Sequence, residues 1–124
     1  MCATISLYIA ECEVFIKVAV IGSRNLTVSN LEKYLPIETT EIVSGGAKGI
    51  DACAREYALA HSLKLTEFVP DYRRFGRGAP LKRNIEIVEY ADIVLAFWNG
   101  CSKGTEFVIK YCRRIGRRVE VFEL

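Results

Sequence analysis

Glu41-Ile42-Val43-Ser44-Gly45-Gly46-Ala47-Lys48-Gly49-Ile50-Asp51 is the stretch around which the rest of the chain is organised. A short β-branched run, Glu41 to Val43, feeds a glycine-rich turn that opens at once into a helix-like segment, Ile50 to Leu63. A strand that ends this way leaves a row of free N–H groups at a helix N-terminus. With the positive end of the helix dipole, those donors favour an anion, most often a phosphate. Glycine permits the close backbone approach and the positive φ that such a turn needs. Taken alone, the stretch is equally a plain tight βα turn.

The flanking sequence repeats the pattern. Phe15 to Ile21 is a near-continuous apolar run, as expected of a strand buried on both faces of a parallel sheet, and it ends in Gly22-Ser23-Arg24. Leu31, Tyr34 and Leu35 suggest a short helix stopped by Pro36, and Leu65 to Val69 reads as a strand closed by Pro70. Pro80 opens a helix whose buried face is marked by Leu81, Ile85 and Val88. Ile93 to Trp98 is again solidly apolar and leads into Asn99-Gly100-Cys101-Ser102-Lys103-Gly104-Thr105. Val108, Cys112 and Ile115 line the next helix, Gly116 fits its C-terminal cap, and Val119 to Phe122 supplies the last strand. Strands alternating with helices predict an α/β fold: a single three-layer Rossmann-like domain over residues 14–124 with a mainly parallel five-stranded sheet. Residues 1–13 alternate Ile5, Leu7 and Ile9 against Thr4, Ser6 and Tyr8, the period of an extra N-terminal strand or arm.

Composition excludes several classes. At 124 residues, 51% hydrophobic and 26% charged, the chain has the make-up of one soluble globular domain. The net charge of +2 means that nucleic-acid binding needs a local basic patch. Five dispersed cysteines without Cys-x-x-Cys spacing and a lone His61 argue against a metal site, and free thiols suit a reducing cytoplasm. The first thirteen residues carry no Lys or Arg, unlike a signal peptide, and no apolar run is long enough to span a membrane. The expectation is a cytoplasmic protein with no membrane partner and no cofactor, with homo-oligomerisation left open.

All three glycine turns fall at strand carboxyl ends, the edge where ligands bind in open parallel sheets. Gly22, Ser23 and Arg24 offer backbone N–H groups, a hydroxyl and a guanidinium to one phosphate. Gly45 and Gly46 offer backbone, Lys48 a counter-charge, and Gly104-Thr105 two N–H groups and a hydroxyl at a helix start. Thr105 as a simple helix cap is the competing view. Five cations, Arg73, Arg74, Arg77, Lys82 and Arg83, surround Tyr72 and Phe75, a pattern suited to an anion beside a stacked base. Arg83 and Asn84 would close one side of the site, and Tyr72 is the candidate stacking group. Asp51 and Glu106 are the carboxylates placed for acid/base chemistry, although either also suits the first turn of a helix. The glycine spacing, with no Lys-Ser/Thr pair after it, is not that of a P-loop NTPase.

Val20-Ile21-Gly22-Ser23-Arg24, Ser44 to Asp51, Gly76 to Asn84 and Ser102-Lys103-Gly104-Thr105 together resemble the SLOG superfamily, and within it the small YspA-type branch, over roughly residues 14 to 122. That resemblance implies a Rossmann-like fold binding a nucleotide or nucleotide-derived ligand. The related DNA-processing protein A family shares a Gly-Ser-Arg element and a Ser-Gly-x-Ala-x-Gly-Ile-Asp element, which implies single-stranded nucleic acid as a second ligand. The related LOG family cleaves ribose 5′-phosphate from nucleotides with a Pro-Gly-Gly-x-Gly-Thr loop and a catalytic Glu. The corresponding Gly100-Cys101-Ser102-Lys103-Gly104-Thr105-Glu106 lacks the Pro-Gly-Gly. Nucleotide binding or sensing is therefore the leading expectation, with N-glycosidic hydrolysis and strand binding as alternatives.

Overall fold

The structure, a computed structural model, describes residues 15–124; the strand or arm expected over residues 1–13 lies outside the described residues. Five strands, β1 (Ile16–Gly22), β2 (Thr39–Ser44), β3 (Lys64–Glu67), β4 (Ile93–Trp98) and β5 (Arg118–Glu123), form one sheet in the order β3-β2-β1-β4-β5. Every pairing is parallel. The helices are α1 (Ile50–Ala60), the single turn α2 (Tyr72–Phe75), α3 (Ala79–Tyr90) and α4 (Lys103–Ile115). The three-layer Rossmann-like architecture is as expected.

Successive side chains of a strand point to opposite faces, so a central strand needs apolar residues throughout. Val18 and Val20 of β1 pack with Ile42, Leu95 and Phe97 beneath Ile50, Ala54 and Ala58 of α1. Ala19 and Ile21 pack with Val43, Val94 and Ala96 beneath Ile87 and Val88 of α3 and Val108, Ile109 and Cys112 of α4. Chain order along the sheet reverses between β1 and β4. A crevice therefore opens at the carboxyl ends of these two strands.

Four local expectations change. The helix expected from Leu31 shrinks to a single 3₁₀ turn, Leu31–Lys33, with Leu31 buried and Tyr34 edge-on to Phe97 and Phe122. α1 ends at Ala60 rather than Leu63, because Ser62 turns to φ 53° and the Leu63 N–H donates back to Ala58 O at 2.9 Å. β3 ends at Glu67, leaving Val69 65% exposed. On α3 the inward row is Ala79, Arg83, Ile87 and Val88, whereas Leu81 is exposed.

Candidate nucleotide cleft

The loops after β1, β2 and β4 enclose a cleft of about 430 Å³ at the reversal point. Its walls include Gly22, Ser23, Arg24, Gly45, Asp51, Arg83, Asn84, Gly104 and Thr105. The cleft thus gathers residues that lie more than eighty positions apart in the chain.

Gly22 ends β1 where nothing larger fits: an added Cβ would lie 2.5 Å from Phe97 O and 2.6 Å from Ile50 Cγ1. The Ser23 N–H donates to Phe97 O at 3.0 Å, which carries the chain across to β4. Ser23 is buried, and its hydroxyl oxygen accepts from the Asn99 N–H at 3.2 Å. Arg24 stays exposed and makes no ion pair among the described residues. Gly49, at φ 71°, seats the start of α1 directly on the Ser23 and Arg24 carbonyls. The first and second glycine turns are therefore one packed unit.

Asp51 is only 7% exposed. Its Oδ2 accepts from the Ala47 N–H at 3.1 Å, and its other carboxylate oxygen has no hydrogen-bond partner among the described residues. Burial raises its pKa above the usual carboxylate range, opposed by the Ala47 hydrogen bond and by the Arg83 and Arg24 charges. Arg83 projects from the core-facing row of α3. Its Nη1 donates to Gly45 O at 2.7 Å and to Phe68 O at 3.3 Å, and its Nε donates to Asn84 Oδ1 at 2.8 Å. Burial lowers its pKa while Asp51 opposes the shift, and a guanidinium remains charged throughout. Gly45 has no side chain because these two fill the space: a Cβ there would stand 2.5 Å from Arg83 Nη1 and 2.9 Å from Asp51 Oδ2.

The third wall is the start of α4. Ser102, not Thr105, caps it, accepting from the Thr105 N–H at 3.4 Å, while the buried Thr105 hydroxyl lies 3.2 Å from Ser102 Oγ. Asn99 also lines the cleft, although it is not among the expected site residues. Its Oδ1 accepts from the Cys101 and Ser102 N–H groups at 2.8 Å each, and its Nδ2 donates to Asn25 Oδ1 at 2.9 Å. It thereby ties the β1 loop to the β4 loop. An Asn-Gly pair closing an apolar strand was the available signal.

Other expected residues stand apart from the cleft walls. Gly46, at φ 72°, turns toward Val69 and Glu67. Lys48 is exposed, Tyr72 is 59% exposed, and neither lines the cleft. Arg73, Arg74, Arg77 and Lys82 are exposed, with Arg74 and Lys82 over the Phe75 ring at 5.0 and 5.8 Å. Glu106 does not line the cleft. It pairs with Lys110 at 2.8 Å, and that hydrogen bond and charge lower its pKa. Asp51 is the one carboxylate in the cleft wall among the described residues.

Among the described residues no group of three or more His, Cys, Asp or Glu is placed to hold a metal, and no helix is long and apolar enough to cross a membrane. The family profile described as DNA recombination-mediator protein A matches residues 8–72, just over half of the chain. The chain belongs to the DNA recombination-mediator protein A family. The match to this family starts within the residues set apart above as an arm, and it spans Gly22 to Arg24, the Gly45 turn and Asp51. Arg83, Asn84, Gly104 and Thr105, which complete the cleft, lie beyond it. No curated protein and no solved structure matches the chain.

Proposed function

We propose that the cleft binds a nucleotide through its phosphate, with the anion between the Ser23-Arg24 turn and the Gly104-Thr105 start of α4. The observation that carries this reading is the convergence of three strand-end loops on one cleft walled by two guanidinium groups and one carboxylate. Arg24 supplies an exposed charge with no ion pair among the described residues. Arg83 supplies a fixed one, because its hydrogen bonds to the Gly45 and Phe68 carbonyls set its position before any ligand arrives. Uncommitted N–H groups at the start of α4 add donors and the positive end of the helix dipole. Asn84 and Asn25 offer amides for the rest of the ligand. The Gly22 to Arg24, Ser44 to Asp51, Gly76 to Asn84 and Ser102 to Thr105 elements together support, as part of this proposal, kinship with the YspA-type branch of the SLOG superfamily.

A panel of nucleoside mono-, di- and triphosphates in a thermal-shift assay tests the reading. A ligand present at 100 times its Kd stabilises the fold by about 2.7 kcal/mol. Arg24→Ala should abolish most of that gain, and the absence of stabilisation by every phosphate-bearing compound would sink the proposal.

A second reading is favoured by the family match and by the exposed Arg73, Arg74, Arg77 and Lys82. These four exposed cations, close together in sequence, offer phosphate contacts to a single-stranded nucleic acid. If all four meet phosphates, oligonucleotide affinity falls with salt at a logarithmic slope of about −3. Substituting all four by alanine should flatten the slope while leaving mononucleotide binding in the cleft intact.

A further inference from the structure

We infer that Asp51 reads a sugar hydroxyl, so that the cleft selects a 5′-phosphorylated ribose over its 2′,3′-dideoxy counterpart. This inference rests on the nucleotide reading above and names the ligand class more narrowly.

Asp51 is a buried carboxylate with work for only part of its hydrogen-bonding capacity. The Ala47 N–H occupies Oδ2 at 3.1 Å, and the other oxygen has no protein donor among the described residues. That oxygen stays open to solvent, because among the described residues no fully buried side-chain oxygen lacks a partner, and Asp51 lines the cleft. A ligand hydroxyl can take the place of water as its donor. The two guanidinium groups in the same wall do not do so: Arg83 is committed to the Gly45 and Phe68 carbonyls and to Asn84, and neither Arg83 nor Arg24 forms an ion pair with Asp51. Glu67, an acid whose charge acts on Asp51, is held by Arg55 through two hydrogen bonds of 3.0 Å.

The donor that suits this place is neutral. Two cations already share the cleft with one carboxylate, so an incoming cation meets repulsion, and a metal would find a single acid for a ligand. An anionic ligand that also carries a hydroxyl satisfies both halves of the cleft: its phosphate goes to Arg24 and the α4 start, its hydroxyl to Asp51. A ribose 5′-phosphate unit carries the two groups on one small ring. A deoxyribose interior to a DNA strand has no free hydroxyl to offer.

Titration calorimetry with the four ribonucleoside 5′-monophosphates and their 2′,3′-dideoxy counterparts tests this on the unmodified chain. Loss of the hydroxyls should weaken binding by about 10- to 100-fold, the worth of one hydrogen bond to a charged group. Asp51→Asn, checked for folding by its melting curve, should bring ribose and dideoxyribose forms to within about threefold of each other. Arg24→Ala should weaken both forms alike. Equal affinity for ribose and dideoxyribose forms in the unmodified chain, or selectivity that survives Asp51→Asn, would overturn the role of Asp51 while leaving the nucleotide reading intact. Binding of no phosphate-bearing compound at all would overturn the nucleotide reading itself.

Discussion

Gly45→Ala probes the cleft wall through one methyl group. Gly45 has no positive φ, so alanine is acceptable to the backbone and the effect comes from contact alone. The new Cβ would stand 2.5 Å from Arg83 Nη1 and 2.9 Å from Asp51 Oδ2. Arg83 cannot simply swing away, because that nitrogen donates at 2.7 Å to the Gly45 carbonyl and its Nε is held by Asn84 at 2.8 Å. Displacing it loses at least one hydrogen bond from a charged donor, about 1.5–3 kcal/mol. Overpacking adds about 1 kcal/mol. The expected loss of about 2.5–4 kcal/mol lowers the melting temperature by about 10–16 °C for a domain of this size. Thermal unfolding followed by circular dichroism reads it directly. Gly104→Ala is the matched control: its Cβ would find nothing nearer than Asn84 Nδ2 at 3.9 Å, so stability should stay within about 0.5 kcal/mol. A Gly45→Ala protein that melts with the unmodified chain would refute the placement of Arg83 against Gly45.

Three further outcomes are expected. Because burial raises the folded-state pKa of Asp51, its contribution to stability is greatest below its unfolded value and is lost as pH rises through the raised one. Asp51→Asn should therefore stabilise the fold at neutral pH, with the gain shrinking toward acid pH in denaturant titrations; a gain that grows toward acid pH would refute this. Glu41 is 7% exposed at the opposite end of the sheet, where burial raises its pKa but hydrogen bonds from Tyr90 and Thr66 and the Lys64 charge together hold it below the usual carboxylate range. Its contribution is present above its unfolded pKa and is lost as pH falls through the lowered one. Thr66→Val, which removes a 2.7 Å donor, should cost about 1.5–3 kcal/mol at neutral pH and move acid unfolding to higher pH. Cys112 is fully buried with its pKa pushed up to about 11, so site-resolved mass spectrometry should find Cys101 alkylated by iodoacetamide long before Cys112.

Much of the sheet was legible because strands buried on both faces leave uninterrupted apolar runs. Ile93 to Trp98 matches β4 residue for residue, and β1 differs by one position at each end. The end of α1 was not legible, since Ser62 takes a left-handed turn that glycine would ordinarily announce. Nor was the inward face of α3. Apolar periodicity points to Leu81, but the inward row is completed by Arg83, whose charge is tolerated there because backbone carbonyls from two other segments receive it. At the cleft, glycine turns pointed to the right loops, while the residues that fasten those loops to one another did not stand out. Asn99 acts through contacts with Ser23 and Asn25, more than seventy positions away, which no local pattern encodes. The same limit applies to Glu106, whose proximity to the third turn says nothing of its pairing with Lys110 on its own helix.

The most direct test is an amide-resolved NMR titration of the chain with adenosine 5′-monophosphate. Binding in the cleft predicts saturable shifts concentrated at Gly22 to Asn25, Gly45 to Ala47 and Ser102 to Thr105, all weakened in Arg24→Ala. Shifts confined to the exposed run from Arg73 to Lys82, or no saturable shift in those three loops with this or any other nucleotide, would contradict it.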